Sequence, residues 1–228
     1  MEVRAAGVTY TRSREARLEE SGGADFYQKV YDAVRPEVFF KSVPWRVVTD
    51  GEPIAIRRDS ALNVPEAELG IVVNSAAEIV GYTVCNDMSS RAIEGENPLY
   101  LPQAKIYAGA CANAPGIRPA WEVDVGSLGI GLRIERGGGV VWSGSTSTAR
   151  LARPLSSLVD YLFAEEQFPD GVIISTGTGI VPELEFTLEP DDVVTIEIEE
   201  VGTLTNRVVA GKTAVDWLAS GRAPGSQG

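Results

Sequence analysis

The strongest constraint on this chain is a pair of glutamates that leads directly into an apolar strand. Residues 64–73 read Val-Pro-Glu-Ala-Glu-Leu-Gly-Ile-Val-Val. Successive side chains of an extended strand alternate between two faces, so Glu66 and Glu68 project from the same face with their carboxylates close together. Solvent, a shared proton, a cationic side chain or a divalent cation can relieve their repulsion. The pattern alone leaves these four solutions open.

A second strand is predicted to pair with the first. The first strand is predicted over 66–74 and the second, another apolar run, over 78–86, so only three residues, 75–77, separate them. A connection this short permits only an antiparallel hairpin. The second strand ends at Asp87, which either caps the helical turn that follows or adds a third carboxylate to the pair.

Length and charge set the broad class of protein. The 228 residues suit one domain, predicted over 1–228 with a polar, glycine-rich tail at 219–228 that frays. A net charge of −12 without a basic run argues against a nucleic-acid partner. No apolar stretch long enough to cross a membrane and no signal-peptide region occur in the sequence, so we expect a cytoplasmic protein.

Histidine is absent from the sequence. The chain therefore cannot build a Ser-His-Asp or Cys-His arrangement or a His-ligated zinc site. Cys85 and Cys111 have no metal-binding spacing and are interpreted as small buried residues. Chemistry must then depend on carboxylates, Lys, Tyr, Ser, Thr, Cys or a bound cation.

The remaining patterns predict a mostly β protein with a few helices. Predicted strands include 37–41, a hairpin of 128–134 and 140–143, a buried run at 172–180, and the pair 193–201 and 204–209; a helix is expected over 155–167 and an irregular loop over 94–103. Lys105 follows that loop in a small, apolar setting. It either extends to the surface or faces an acidic pocket as a positive charge and proton-transfer group.

Glu66, Glu68 and Asp87 together would form a three-carboxylate oxygen site. Such a site prefers Mg²⁺, with Mn²⁺ or Ca²⁺ as alternatives, and leaves positions for water and substrate.

With these residues in order, the sequence resembles the fumarylacetoacetate hydrolase family over nearly its whole length. The blocks that carry the resemblance are 64–69, 81–91, Lys105, 143–148 and 176–179. The resemblance implies a mixed, rolled β-sandwich, a homodimer, and a metal held by Glu66, Glu68 and Asp87. It also implies a substrate pocket lined by Arg91, Glu94, Lys105 and Thr178.

One departure from the family's hydrolases is informative. Those that cleave carbon-carbon bonds carry a water-activating His after the first strand, whereas residues 7–15 contain none. Residues 35–41 and 95–105 are instead similar to the 2-keto-3-deoxy-D-arabinonate dehydratase branch, in which the residues matching Glu37 and Lys105 act together.

The resulting hypothesis is a metal-dependent lyase that dehydrates a small 2-keto-3-deoxy sugar acid, either the arabinonate or its xylonate-derived epimer, to 2-oxoglutarate semialdehyde. Acylpyruvate hydrolysis and oxaloacetate decarboxylation are the alternatives in the same family. A cation-binding structural module is the non-enzyme alternative.

Overall fold

Most of the chain folds into strands. A computed structural model describes residues 1–11 and 25–221. The larger of its sheets has the order β2-β1-β13-β6-β7-β9-β3, with β10 beside β7. Its members are β1 (Glu2–Gly7), β2 (Glu37–Ser42), β3 (Val47–Val48), β6 (Ala67–Val73), β7 (Ile79–Asp87), β9 (Cys111–Asn113), β10 (Arg118–Pro119) and β13 (Val172–Ser175).

A second sheet of five strands has the order β12-β11-β14-β15-β4, and a third consists of a short pair. The five are β4 (Ile54–Ile56), β11 (Gly129–Arg136), β12 (Gly139–Ser147), β14 (Val193–Ile198) and β15 (Gly202–Ala210); the short pair is β5 (Asn63–Val64) with β8 (Ser89–Ser90). Most neighbours are antiparallel, but β1 with β13, β3 with β9, and β4 with β15 are parallel. The prediction of a mostly β, mixed-sheet fold is confirmed.

Helices are few and short among the described residues. They are α1 (Asp25–Asp32), α2 (Arg91–Glu96), α3 (Leu101–Lys105), α4 (Leu155–Phe163) and α5 (Trp217–Ser220). None of these described helices is long and apolar enough to cross a bilayer.

Strand alternation gives the larger sheet two different faces. On β6, Leu69 and Ile71 enter the hydrophobic core, where they belong to one cluster with Leu132 and Ile196 of the second sheet. Glu68 lies between Ala67 and Leu69 along the strand and therefore projects from the opposite face. The core thus forms on one face of β6, while the carboxylate lies on the other.

The larger sheet is curled. Strand β2 stands four places from β7 in the strand order, yet Lys41 near the end of β2 forms an ion pair with Asp87 at the end of β7. Such a contact requires the sheet to roll over its polar face, which agrees with the rolled sheet implied by the family resemblance. The polar face is consequently enclosed.

The predicted loop at 94–103 is wrong. This segment contains the end of α2, a 3₁₀ turn at Pro98–Tyr100 and most of α3. Pro98 and Pro102 lie in the first turns of these elements, where the missing N–H costs no intrahelical hydrogen bond. Prolines that suggested irregular structure therefore begin helical turns.

Two element ends also differ from the predicted ones. The helix expected over 155–167 ends at Phe163, and the strand expected over 172–180 ends at Ser175. Gly177 has a φ of 89°, which is incompatible with a continuing strand. Residues 219 and 220 lie in α5 and 222–228 lie outside the described residues, so the frayed tail stays a prediction.

We predict that Leu132→Ala lowers the free energy of unfolding by about 2–5 kcal/mol, because it opens a cavity between the two sheets. Leu99, whose side chain is 84% exposed, supplies the matched control. Leu99→Ala should change stability by no more than about 0.5 kcal/mol. Denaturant unfolding of both variants measures the difference, and equal losses would contradict the assignment of the core.

Candidate metal centre

The three predicted carboxylates meet at the end of the β6–β7 hairpin. In this hairpin Ala67 pairs with Asn86, which brings Glu66 opposite Asp87, and the Asp87 N–H donates to the Glu66 carbonyl at 3.0 Å. One oxygen from each of Glu66, Glu68 and Asp87 lies within 4.8 Å of the others, and all three side chains are buried. The predicted same-face placement is confirmed.

Lys105 faces this acidic cluster and does not extend to the surface. Its ammonium Nζ lies 2.9 Å from Glu66 Oε2 and 3.1 Å from Asp87 Oδ2, and it donates to Ser89 Oγ at 2.6 Å. The residue is 3% exposed and ends α3. Of the two readings of Lys105, the structure supports the one in which it provides positive charge to the carboxylates.

Lys41 is a second buried cation that the sequence reasoning missed. Its Nζ forms an ion pair with Asp87 Oδ1 and donates to the carbonyl oxygens of Lys105 at 2.6 Å and Met88 at 3.1 Å. Lys41 therefore links the end of β7, at Asp87, to the end of α3, at Lys105. A signal was present, because a lysine directly after Val38-Phe39-Phe40 in a strand is as unusual as Lys105 in its apolar setting.

Glu68 on β6 is held by residues at the end of β13, the neighbour of β6 on the side away from β7. Its Oε2 accepts hydrogen bonds from Ser175 Oγ at 2.6 Å and from the Gly177 N–H at 2.8 Å. A Cβ on Gly177 would lie 2.0 Å from Thr9 Oγ1, so only glycine permits this approach. Burial, followed by the charges of Asp87 and Glu66, raises the pKa of Glu68 to about 8.

Asp87 does not cap the following helix. The N-cap residue of α2 is Ser90, and it makes no side-chain capping hydrogen bond. The Asp87 carboxylate instead contacts Lys41 and Lys105. The capping interpretation is therefore wrong.

The donor set fits a hard divalent cation. Carboxylate oxygens are the ligands that Mg²⁺, Mn²⁺ and Ca²⁺ prefer, and three of them converge from two rigid strands. Two lysines cannot neutralise three carboxylates when all are ionised. Near neutral pH the raised pKa of Glu68 keeps a proton on that carboxyl, and a bound cation would replace this proton and leave all three carboxylates as ligands.

The two cysteines lie beside the cluster without joining it. Both are free and buried, as predicted. Burial raises the pKa of the Cys111 thiol to about 12 and that of Cys85 well above its usual range. Neither thiol is therefore suited to act as a nucleophile or a thiolate ligand near neutral pH.

Glu37 reaches the same end of the larger sheet. It begins β2 opposite Gly7 of β1, and a Cβ on Gly7 would lie 2.0 Å from Glu37 Oε2. The β1–β13 pairing of Ala5 with Ser175 brings Gly7 toward the segment that holds Glu68. Glu37 also shares a face of β2 with Lys41, four residues later.

The remaining predicted pocket residues are all buried. Thr178 follows Gly177, and its hydroxyl accepts from the Ile180 N–H at 3.1 Å and donates to the Ile180 carbonyl at 3.2 Å. Arg91 donates to the Pro182 carbonyl at 2.6 Å, and Glu94 lies one turn later on α2. Lys105 thus contacts the carboxylates themselves. Arg91 and Glu94 lie in the helix that follows Asp87, and Thr178 follows the glycine that bonds to Glu68.

Comparison with known proteins was consistent with this geometry. Residues 6–209 match the model of the fumarylacetoacetate (FAA) hydrolase C-terminal family. A probable 2-keto-3-deoxyxylonate dehydratase of Haloferax volcanii is 50% identical over 208 residues, which cover 91% of this chain and 72% of that protein. The 2-dehydro-3-deoxy-D-arabinonate dehydratase of Saccharolobus solfataricus is 46% identical over 212 residues, covering 91% and 71%.

Solved structures give the same result. A 2-keto-3-deoxy-D-arabinonate dehydratase complexed with magnesium and 2,5-dioxopentanoate superposes with a TM-score of 0.85 at 44% identity, covering 92% of this chain and 73% of that chain. Its apo form gives a TM-score of 0.86 at the same identity and coverage. The chain therefore belongs to the fumarylacetoacetate hydrolase C-terminal family.

Proposed function

We propose that the protein is a magnesium-dependent dehydratase that converts a 2-keto-3-deoxy pentonate to 2-oxoglutarate semialdehyde, which is 2,5-dioxopentanoate. The observation that carries the proposal is the contact of Lys105 with Glu66 and Asp87 inside a three-carboxylate cluster. Lys105, acting as a proton-transfer group, would then lie beside the oxygens that hold the cation. The proposal is supported by the similarity of the chain to two dehydratases at 46–50% identity and to the structure of a dehydratase complexed with magnesium and 2,5-dioxopentanoate.

Glu66, Glu68 and Asp87 would hold Mg²⁺, with Mn²⁺ or Ca²⁺ as substitutes. When bound, the cation supplies Lewis-acid stabilisation of negative charge that develops on the substrate's 2-keto oxygen. The hydrogen bonds from Ser175 and Gly177 keep Glu68 oriented for this role. Lys41 keeps Asp87 oriented in the same way.

Dehydration requires a base and an acid, and we assign these roles to Glu37 and Lys105. A proton leaves carbon 3, the hydroxyl leaves carbon 4 as water, and proton shifts along carbons 3 to 5 then give the aldehyde. Lys105 is fixed by contacts that include Glu66, Asp87 and Ser89, whereas Glu37 is only half-buried at the rim of the same sheet face. Removing a proton and releasing a hydroxyl needs one group of each kind.

Arg91, Glu94 and Thr178 complete the proposal as substrate-contacting residues. All three are buried next to segments that hold the carboxylates. The cationic guanidinium suits the carboxylate of a 2-keto acid, and the Glu94 carboxylate and Thr178 hydroxyl suit sugar hydroxyls.

The wider biological setting also remains a proposal. It comprises one catalytic domain over 1–228, a homodimer, and a cytoplasmic location.

Product identification tests the proposed reaction directly. Purified protein with Mg²⁺ is incubated separately with 2-keto-3-deoxy-D-arabinonate, its xylonate-derived epimer, acetylpyruvate and oxaloacetate, and products are identified by mass spectrometry. We expect loss of one water from a 2-keto-3-deoxy pentonate to give 2,5-dioxopentanoate. Carbon dioxide from oxaloacetate or acetate from acetylpyruvate, with the pentonates unchanged, would contradict the dehydratase assignment.

Variants test the acid-base pair separately from the metal site. Glu37→Gln and Lys105→Met should each lower kcat by about 10²–10⁴-fold, the usual contribution of a general acid or base. Both should still bind Mg²⁺, since neither change removes a ligand and Lys105→Met removes a competing positive charge. Steady-state kinetics and metal titration measure the two effects.

Glu197→Gln provides a matched control, because Glu197 is exposed on β14. Its kcat should equal that of the unmodified protein. Near-normal turnover in Glu37→Gln or Lys105→Met would remove that residue from the mechanism.

A further inference from the structure

β12 has the longest unpaired edge of any strand within residues 1–11 and 25–221. It ends the second sheet, and its nine residues, Gly139–Ser147, pair with β11 on one side only. No backbone hydrogen bond from another described segment reaches its outer side. The free N–H and C=O groups of such an edge form a template on which a further strand can pair.

The edge of β12 lacks the charges and prolines that commonly protect an outer strand. Residues 139–147 read Gly-Val-Val-Trp-Ser-Gly-Ser-Thr-Ser, although 23% of the chain is charged. The pairing with β11 shifts its register at Val141, and residues 142–147 continue as a regular strand. These six consecutive uncharged residues are available for pairing with a further strand.

Apolar side chains are exposed along the same edge. Val140, Val141 and Leu184 are three of the nine large hydrophobic side chains that are exposed among the described residues. Leu184 belongs to the same surface because its neighbour Glu183 accepts a hydrogen bond from Trp142 Nε1 at 2.9 Å. Exposed apolar side chains that lie together are typical of a contact surface.

A groove of about 690 Å³ runs along this edge. It is lined by all five residues of 142–146. Successive side chains of a strand point to opposite faces, so a groove that touches all five follows the edge and not one face. Its other walls include Tyr10 and residues 179–181, which directly follow Thr178. An occupant of the groove would therefore lie next to a proposed substrate-contacting residue.

The two charged residues among the described lining of the groove lie toward opposite ends of β12. Glu183 is bonded to Trp142 in the first half of the strand, and Arg150 comes three positions after its last residue, Ser147. Arg150 is exposed and has no hydrogen bond or ion pair within the described ranges. A cation at one end and a carboxylate at the other are complementary to a reversed copy of the same edge.

We propose that β12 pairs antiparallel with β12 of a second copy of this chain, so that the second sheets of the two copies join across a two-fold axis. A two-fold axis brings identical surfaces together, and two identical strands that meet on it run antiparallel. The C-terminal end of each strand then lies beside the first half of the other. Arg150 of each copy thus approaches Glu183 of the partner subunit, at both ends of the contact.

Two observations favour a second copy as the occupant of this edge. The charges at its two ends are matched by the same charges of a reversed copy, which is electrostatic complementarity without a further sequence. Each copy also carries a net charge of −12, and an uncharged strand edge is a surface where the repulsion between two copies is small. The inference rests on the proposed homodimer, whose contact surface it names, and not on the proposed reaction.

Sedimentation measurements of the full chain at micromolar concentrations test the proposal. We expect the unmodified chain to have at least the mass of two chains. Val141→Lys should weaken the association at least tenfold, because it puts an ammonium group from each copy into an apolar contact. Trp121→Lys is the matched control, because Trp121 is 80% exposed and lies outside the edge and its groove. This control should associate as the unmodified chain does.

Reversal of the two charges tests the antiparallel arrangement. Arg150→Glu and Glu183→Arg should each weaken the association at least tenfold, since each sets like charges against each other at both ends of the contact. An equal mixture of the two variants should recover most of the lost affinity, because opposite charges face each other again in the mixed pair. An ion pair within one chain could not be restored by mixing.

Thermal unfolding of each variant establishes that it is folded. A monomeric unmodified chain would overturn both this inference and the proposed homodimer. Folded variants that associate as tightly as the control, or a mixture that stays as weak as its components, would overturn the pairing of β12 and leave the homodimer in place. The dehydratase proposal is decided separately, by product identification.

Discussion

The repulsion among three buried carboxylates is the constraint on which the centre of this protein depends. Glu66, Glu68 and Asp87 converge where water is largely excluded, and each would be costly to bury ionised without a partner. Lys105 and Lys41 offset part of that cost from opposite sides of Asp87. Without a metal, the third charge is relieved by the raised pKa of Glu68, whose carboxyl keeps its proton near neutral pH, and a divalent cation would take the place of that proton.

The fold makes this arrangement possible by separating the two faces of one sheet. The face of β6 that carries Leu69 and Ile71 packs on the second sheet and supplies hydrophobic stability. The opposite face carries Glu68 at the end where the carboxylates meet, and curling of the sheet brings Lys41 from β2 onto Asp87 of β7. Residues that pack in the core and residues that carry the carboxylates therefore alternate along the same strand. A hairpin, and not a loop, positions the candidate metal ligands.

Local sequence patterns predicted those parts of the site that depend on local geometry. The spacing of Glu66 and Glu68 and the short 75–77 connection determine that the glutamates share a face and that Asp87 lies beside them. Lys41 was missed because its role arises from the curl of the sheet, which brings together strands distant in sequence. The helical turns within 94–103 were missed because proline marks both loops and first turns. The fold topology and the roles of Glu37, Arg91, Glu94 and Thr178 came from family resemblance, since no local pattern determines them.

The most direct test of the account is where a divalent cation binds. Crystals of the protein grown with Mn²⁺ would be measured for anomalous scattering at the manganese edge. We predict one strong peak bonded by an oxygen from each of Glu66, Glu68 and Asp87, and loss of that peak in Asp87→Asn. Absence of manganese from the three carboxylates, at a concentration that supports turnover, would contradict the claim that this buried cluster is the metal centre.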